Sequence, residues 1–199
     1  VAVDASGRVY VADTYNDRIR VIEPDGTVRT AAGGEQPGNV DGFGAETRLD
    51  TPVALALDSH GNLLIADLYN NAIRRLSPDG MLRTQVADGS VMSGPLSVAV
   101  THDDVLYVGD INGKVVQVST QGHQVALAGV SPQPRFARPS GLALDAQGAV
   151  YLADAAAYRV HRLRPLDIGA VPAPALTGPA ADAPLPATGG RWPLAPQEG

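Results

Sequence analysis

Short apolar segments that end in aspartate recur four times along the chain. They read Val-Tyr-Val-Ala-Asp at 9–13, Leu-Leu-Ile-Ala-Asp at 63–67, Leu-Tyr-Val-Gly-Asp at 106–110 and Val-Tyr-Leu-Ala-Asp at 150–154. Their terminal aspartates lie 54, 43 and 44 residues apart, so the period is about 44 residues with one insertion of about ten. A period of this length, built from short strands, is typical of propeller blades or of a solenoid.

Each copy shows the same order of strands and turns. A short apolar run leads to a turn, and the aspartate-terminated strand follows it. The turn reads Asp-x-x-Gly in the first, second and fourth copies, and Thr101-His102-Asp103-Asp104 in the third copy. In the Asp-x-x-Gly turn the aspartate side chain bonds the backbone and glycine supplies a positive φ. A second turn and an alternating strand come next, and in the first two copies a Pro-Asp-Gly turn precedes an outer strand. Four short strands joined by tight turns predict one antiparallel blade per copy.

These segments resemble NHL repeats over residues 1 to about 165. The resemblance implies an all-β fold, a β-propeller of four-stranded antiparallel blades, most often six around a central channel. We place the blades at about 1–32, 50–89, 95–129 and 138–165. Because the chain opens inside a blade and the fourth copy shows no outer strand, we expect it to be an excerpt of a longer protein.

The segment 166–199 is rich in proline, alanine and glycine, and 8 of the 16 prolines fall after residue 164. Such a density of proline excludes a regular helix or a central strand and predicts a linker or tail. Leu185–Gly189 looks like a sortase anchoring motif, but no hydrophobic span and basic tail follow it. The closing Arg191–Pro196 is similar to the lead-in of lysostaphin-like zinc endopeptidase domains, and this resemblance implies a catalytic domain beyond residue 199.

Composition narrows the possible functions. The chain has no cysteine, which excludes disulfides, thiol catalysis and thiolate metal sites. The formal net charge of −6 argues against nucleic acid as a partner, because phosphate neutralisation dominates that affinity. No window is apolar and long enough for a membrane span. Arginine outnumbers lysine 14 to 1, which favours a bacterial protein, and we expect it to be extracytoplasmic, either periplasmic or secreted.

Strand alternation places two kinds of loop on opposite faces of a propeller. The Asp-x-x-Gly and Pro-Asp-Gly turns share one face, which we call the short-turn face. The turns after the terminal aspartates, the connections between blades and the inserted loop 33–51 share the other, the long-loop face. Function concentrates on long loops held by a rigid scaffold. The candidate ligand-contacting residues on the long-loop face are Tyr15, Asn16, Arg18, Asp41, Glu46, Arg48, Tyr69, Asn70, Lys114, Tyr158 and Arg159.

These candidates carry two kinds of chemistry. Tyrosine and asparagine on a rigid rim suit contact with a peptide or polar ligand, although turn formation alone also explains the asparagines. Arg18, Lys114 and Arg159 could attract an anion, and solvated surface charge is the alternative. Within the inserted loop, we expect Phe43 and Leu49 to hold the loop between blades.

The terminal aspartates Asp13, Asp67, Asp110 and Asp154 could suggest a cation site, since four carboxylates would lie at one level of the ring. We interpret them as structural turn caps instead, because an aspartate that ends a strand accepts backbone N–H bonds within its own turn. The resemblance to NHL repeats implies the same role.

The sequence predicts no catalytic residue, cofactor or metal ligand in this segment. None of the four histidines shows the i, i+4 pairing of a helical zinc site. Our leading hypothesis is a non-enzymatic module that binds a protein or cell-envelope ligand through the long-loop face. One alternative is the sensing or targeting part of a larger secreted hydrolase, such as a lysostaphin-like zinc endopeptidase. Another is a propeller lyase or lactonase whose ligands lie in missing blades.

Overall fold

The structure is a computed structural model that describes residues 1–87, 91–128, 136–163 and 183–184. Four antiparallel sheets follow one another along the chain, one for each copy of the repeat. The predicted all-β fold built of propeller blades is therefore confirmed. Among the described residues, no helix has the length and apolar character needed to cross a membrane.

Blade 1 and blade 2 come from the first two copies of the repeat. The strands of blade 1 are β1 (Ala2–Val3), β2 (Val9–Asp13), β3 (Arg18–Ile22) and β4 (Val28–Ala32). The inserted loop carries β5 (Gly42–Phe43), and blade 2 continues with β6 (Pro52–Leu57), β7 (Leu63–Asp67), β8 (Ala72–Leu76) and β9 (Met81–Val86). Single turns of 3-10 helix occupy Thr14–Asn16 and Gly44–Glu46. Blade 2 is five-stranded, because β5 pairs with the outer strand β9.

Blade 3 and blade 4 repeat the same up-and-down order. The strands of blade 3 are β10 (Pro95–Val100), β11 (Leu106–Asp110), β12 (Val115–Val118) and β13 (Gln124–Ala128). Those of blade 4 are β14 (Pro139–Leu144), β15 (Val150–Asp154), β16 (Arg159–Leu163) and β17 (Ala183–Pro184). The two-residue strand β17 lies in the segment where the sequence predicts a linker, and it forms the outer edge of blade 4. The anchoring-like and peptidase-like motifs lie outside the described residues.

The core consists of three hydrophobic clusters that lie between successive blades. The first joins blades 1 and 2, the second joins blades 2 and 3, and the third joins blades 3 and 4. Alternation along each strand produces these clusters, since every second side chain points to a neighbouring blade. Examples from the three clusters are Ile19 with Ile65, Ile73 with Val108, and Tyr107 with Leu152.

The first turn of each blade shows why the third copy departs from Asp-x-x-Gly. In blade 2, Asp58 accepts the backbone N–H of His60 at 2.9 Å, and Gly61 closes the turn with a φ of 77°. In blade 3, Asp104 takes the place of that glycine with a φ of 60°. Its carboxylate crosses to blade 2 and accepts the Ser59 backbone N–H at 2.8 Å. Asp104 therefore fastens two blades together at a position where glycine would only close a turn.

The inserted loop is fixed differently from the sequence prediction. Leu49 is fully buried in the cluster between blades 1 and 2, as expected. The same expectation was wrong for Phe43, which is 53% exposed and lies in β5 at the outer edge of blade 2. Thr47 anchors the loop from inside, because its buried Oγ1 accepts the Gly33 N–H at 2.7 Å and donates to the Gly44 carbonyl at 2.6 Å.

Candidate functional site

The long-loop face is assembled by hydrogen bonds between the turns after the aspartates and the connections between blades. Arg18 donates its Nε–H to the Gly34 carbonyl at 3.0 Å. The carboxylate of Asp17 accepts the Thr51 N–H at 2.8 Å, and Asn71 accepts the Gly94 N–H at 2.8 Å in the next connection. Loops from neighbouring blades therefore form one continuous surface.

Three of the four copies carry an exposed tyrosine on this surface. Tyr15, Tyr69 and Tyr158 are 98%, 68% and 94% exposed. Tyr158 has a φ of 56°, a conformation that Asp17 and Asn71 adopt in the first two copies. The third copy contributes Ile111, which is 53% exposed. Sequence reasoning missed Ile111, although its place directly after a terminal aspartate could have revealed it.

Several other predicted contact residues are engaged in the scaffold. Asn16 donates to Asp13 at 2.7 Å. Asn70 donates both to Asp67 and to the Gly38 carbonyl, each at 2.8 Å. Lys114 donates its Nζ–H to the Val91 carbonyl at 2.8 Å. The three tyrosines are exposed, and so are Asn16, Asp41, Glu46, Arg48 and Arg159 of the predicted set.

Three of the four terminal aspartates, those of blades 2, 3 and 4, bond the connection that enters the inner strand of their blade. The inner strands of blades 2, 3 and 4 begin at Pro52, Pro95 and Pro139. Proline has no N–H for the ladder, and each of these prolines pairs with a terminal aspartate. The carboxylates accept N–H groups one or two residues before the proline instead: Asp67 from Asp50 at 2.8 Å, Asp110 from Ser93 at 3.2 Å, and Asp154 from Ala137 at 2.9 Å and Arg138 at 2.8 Å.

The bonds of Asp110 also lie within its own turn. One oxygen accepts the N–H groups of Asn112 at 3.0 Å and Lys114 at 2.9 Å. The other oxygen accepts the bond from the preceding connection described above. Burial raises the pKa of Asp110 above its ordinary value despite these bonds. These geometries support the interpretation of the aspartates as structural groups, which remains a prediction.

A polar side chain lies seven residues after each terminal aspartate, a regularity that was not predicted from the sequence. Arg20 donates to Asp13 at 2.9 Å, and Arg74 donates to Asp67 at 3.0 Å. In blade 4, His161 Nε2 lies 4.0 Å from Asp154, and blade 3 has the buried Gln117 at this position. Bonds from Asn16 and Arg20 hold the pKa of Asp13 below its ordinary value. The spacing of seven residues was available in the sequence as a signal.

Asp41 lies at the centre of the contacts that attach the inserted loop to blade 2. Its Oδ1 accepts a bond from Arg74 Nη2 at 2.6 Å, and its Oδ2 accepts the Thr84 N–H at 3.1 Å. Burial alone would raise the pKa of Asp41, but these bonds from Thr84 and Arg74 lower it overall. The Asp41 carboxylate is therefore already bound by groups of blade 2, although about half of its side chain stays exposed.

A cleft of about 660 Å³ lies between blade 1 and the inserted loop. Its lining contains three of the predicted contact residues, Arg18, Glu46 and Arg48, and it also includes Thr30 and Glu35. Opposite charges line the same cleft, which suits a ligand with both acidic and basic groups.

A second polar cluster lies on the short-turn face between blades 2 and 3. Asp58, His60 and Asp104 each offer a ligand atom within 4.8 Å of the others. His60 Nδ1 lies 3.0 Å from Asp104, and Ser59 Oγ donates to the same carboxylate at 2.8 Å. Bonds from Ser59, its backbone N–H first, hold the pKa of Asp104 below its ordinary value. These contacts are accounted for by the attachment of blade 3 to blade 2.

Comparison with known proteins agrees with the repeat pattern. The sequence model of the NHL repeat matches residues 1–22. NHL repeat-containing protein 2 of Bos taurus is 30% identical over 132 residues, which cover 59% of this chain and 18% of that protein. The four blades described above complete the identification. The chain is a β-propeller that contains an NHL repeat.

Other relatives of the NHL propeller are also much longer than this chain. The E3 ubiquitin-protein ligase TRIM32 of Mus musculus is 26% identical over 154 residues, which cover 75% of this chain and 23% of that protein. The chain therefore spans about a fifth of the length of these two relatives.

Solved structures share the fold of the NHL propeller at low sequence identity. A streptogramin B lyase superposes with a TM-score of 0.63 and 16% identity over 81% of this chain and 49% of that chain. A gluconolactonase from Xanthomonas campestris gives the same TM-score and identity over 82% of this chain and 56% of that chain. At this identity the likeness shows the fold alone.

Proposed function

We propose that this segment is a non-catalytic binding module, which docks a protein or cell-envelope ligand through its long-loop face. The observation that carries the proposal is the exposure of three tyrosines on turns of the long-loop face. Tyr15 lies in a 3-10 turn in which the Asn16 side chain donates to Asp13. Tyr69 lies in a turn in which the Asn70 side chain donates to Asp67. Exposed aromatic side chains on an ordered backbone lose little conformational entropy on binding.

Arginine side chains on the same face as the tyrosines support a polypeptide ligand. Tyrosine and arginine are enriched in the residues that dominate protein interfaces. Arg159 follows Tyr158 directly and is exposed, while Arg18 and Arg48 line the cleft beside the inserted loop. A ligand that contacts the tyrosines and extends into this cleft would meet both aromatic and charged groups.

The test is a double substitution with a matched control on the opposite face. The Tyr15→Ala, Tyr69→Ala variant should lose binding to isolated envelope proteins and to purified cell wall from the source organism, while its melting temperature stays nearly unchanged. The control is His102→Ala with His123→Ala, since both histidines are exposed and lie on the short-turn face. Equal binding by the two double variants would refute the assignment of the long-loop face.

The lyase and lactonase alternative draws on the fold of the solved relatives. Among the described residues, His60, His102 and His123 are exposed in turns of the short-turn face. The inner-strand Ser97 is buried and donates its hydroxyl to the Pro139 carbonyl at 2.9 Å. An activity of this class would thus depend on residues of other blades, and the hydrolase alternative depends on residues beyond 199.

A further inference from the structure

The outer edges of blades 1 and 2 have the same construction. In blade 1, Arg20 is opposite Thr30, and in blade 2, Arg74 is opposite Thr84. In both blades the pairing register shifts directly before the arginine, between Ile19 and Arg20 in blade 1 and between Ile73 and Arg74 in blade 2. The two outer edges therefore present a guanidinium and a threonine in the same arrangement.

Blade 2 shows what this arrangement binds. Asp41 accepts bonds from Arg74 and from both the N–H and the Oγ1 of Thr84. Gly42 and Phe43 then pair with Leu82 and Met81 as an added antiparallel strand. An extended Asp-Gly-Phe segment thus occupies the outer edge, with its carboxylate on the arginine and its backbone on the ladder.

Blade 1 offers the same groups, and no described segment covers them. Strand β4 ends the sheet of blade 1 among the described residues. Arg20 donates to Thr30 Oγ1 at 2.5 Å, whereas in blade 2 both of the corresponding side chains donate to Asp41. The Arg20 side chain is 30% exposed, while that of Arg74 is fully buried. Val28 of the same edge is 60% exposed.

We propose that the outer edge of blade 1, formed by Arg20, Val28 and Thr30, binds an extended peptide of the type Asp-Gly-aromatic by strand addition. The peptide carboxylate accepts bonds from Arg20 and Thr30, and its backbone pairs with β4. Thr30 also lines the cleft of about 660 Å³, which gives room for residues that flank the peptide strand. Strand addition of this kind takes affinity from main-chain bonds and specificity from side-chain contacts.

The probe is a fluorescein-labelled synthetic peptide with the sequence of residues 37–50, titrated with the whole chain and followed by fluorescence anisotropy. We expect saturable binding. Changing the peptide residue that corresponds to Asp41 to asparagine should weaken the affinity about tenfold or more, because it removes the charge that pairs with Arg20. This comparison leaves the propeller itself unaltered, so folding of a variant cannot confuse it.

Variants of the propeller give the second comparison. Arg20→Gln should weaken binding of the native peptide to the same degree, while Arg83→Gln, at an exposed arginine of blade 2, should leave it unchanged. Absence of saturable binding, or equal affinity for the native and asparagine peptides, would overturn the proposal. Self-association of the chain that the free peptide fails to displace would assign this edge to a second copy and would overturn it as well.

Discussion

Replacement of Arg74 by methionine tests whether the buried ion pair of blade 2 holds that blade together. The substitution keeps an unbranched side chain of similar length and removes the guanidinium. Arg74 and Asp67 are both fully buried and lie 3.0 Å apart. Arg20→Met is the matched control, because Arg20 holds the same position in blade 1 and donates to Asp13 at 2.9 Å.

The two substitutions should differ strongly in magnitude. Arg74→Met leaves Asp67 buried with bonds only from Asp50 and Asn70, and loss of one partner of a buried pair costs about 3–5 kcal/mol. The substitution also removes the bonds from Arg74 to Asp41 and to the Arg48 carbonyl, which adds to the loss. In blade 1, the Arg20 and Asp13 side chains are 30% and 26% exposed, so water replaces the lost partner. The cost there should be about 0–1 kcal/mol.

Urea denaturation followed by circular dichroism measures both effects. The free energy of unfolding is extrapolated from the linear dependence on urea, and the two variants are compared at equal slope. We expect Arg74→Met to be less stable than Arg20→Met by about 2 kcal/mol or more. Equal losses in the two blades would refute the reasoning that burial, and not the ion pair itself, sets the energetic importance of this position.

Substitutions at four other positions test the turns and the strand contacts. Thr47→Val should destabilise by about 1–3 kcal/mol in the same urea assay, because it leaves the buried Gly33 N–H without its acceptor, and Thr47→Ser should restore most of the loss. Gly109→Ala should lower the melting temperature, since a Cβ there would stand 2.5 Å from a serine hydroxyl and 2.7 Å from a backbone carbonyl, whereas Gly141→Ala meets only a methyl group at 3.5 Å and should be tolerated. Burial would raise the pKa of Asp4, but hydrogen bonds lower it to about 2 from 3.8. The stability that ionised Asp4 contributes is therefore present above about pH 4 and is lost as the pH falls toward 2, so the melting temperatures of Asp4→Asn and the native chain should converge over that interval.

The fold could be predicted because its signals are local and repeated. Aspartate-terminated strands, Asp-x-x-Gly turns and the period of about 44 residues each point to the same blade. The fifth strand of blade 2 could not be predicted in this way. It has two residues in a glycine-rich loop, and its position depends on Asp41 reaching Arg74, a contact between residues 33 positions apart.

The candidate site was predictable in outline and less so residue by residue. Strand alternation placed Tyr15 and Tyr69 on exposed turns, and both are exposed. The same argument could not show that Lys114 would reach the Val91 carbonyl, or that Asn70 would bond the Gly38 carbonyl of the inserted loop. Polar side chains in a turn can bond whichever backbone group lies near, and only the packing of neighbouring connections decides which group that is.

Buried groups that bond the scaffold and exposed aromatic side chains lie within a few residues of each other in the turns of blades 2 and 4. Asp67 is fully buried and bonds the connection that enters blade 2, whereas Tyr69, two residues later, is 68% exposed. In blade 4, Asp154 is buried and bonds the preceding connection, and Tyr158, four residues later, is 94% exposed. Substitution of the tyrosines therefore leaves the carboxylate contacts of the blade intact. Because these contacts do not depend on the exposed side chains, the exposed residues of such a propeller can change while its stability is retained.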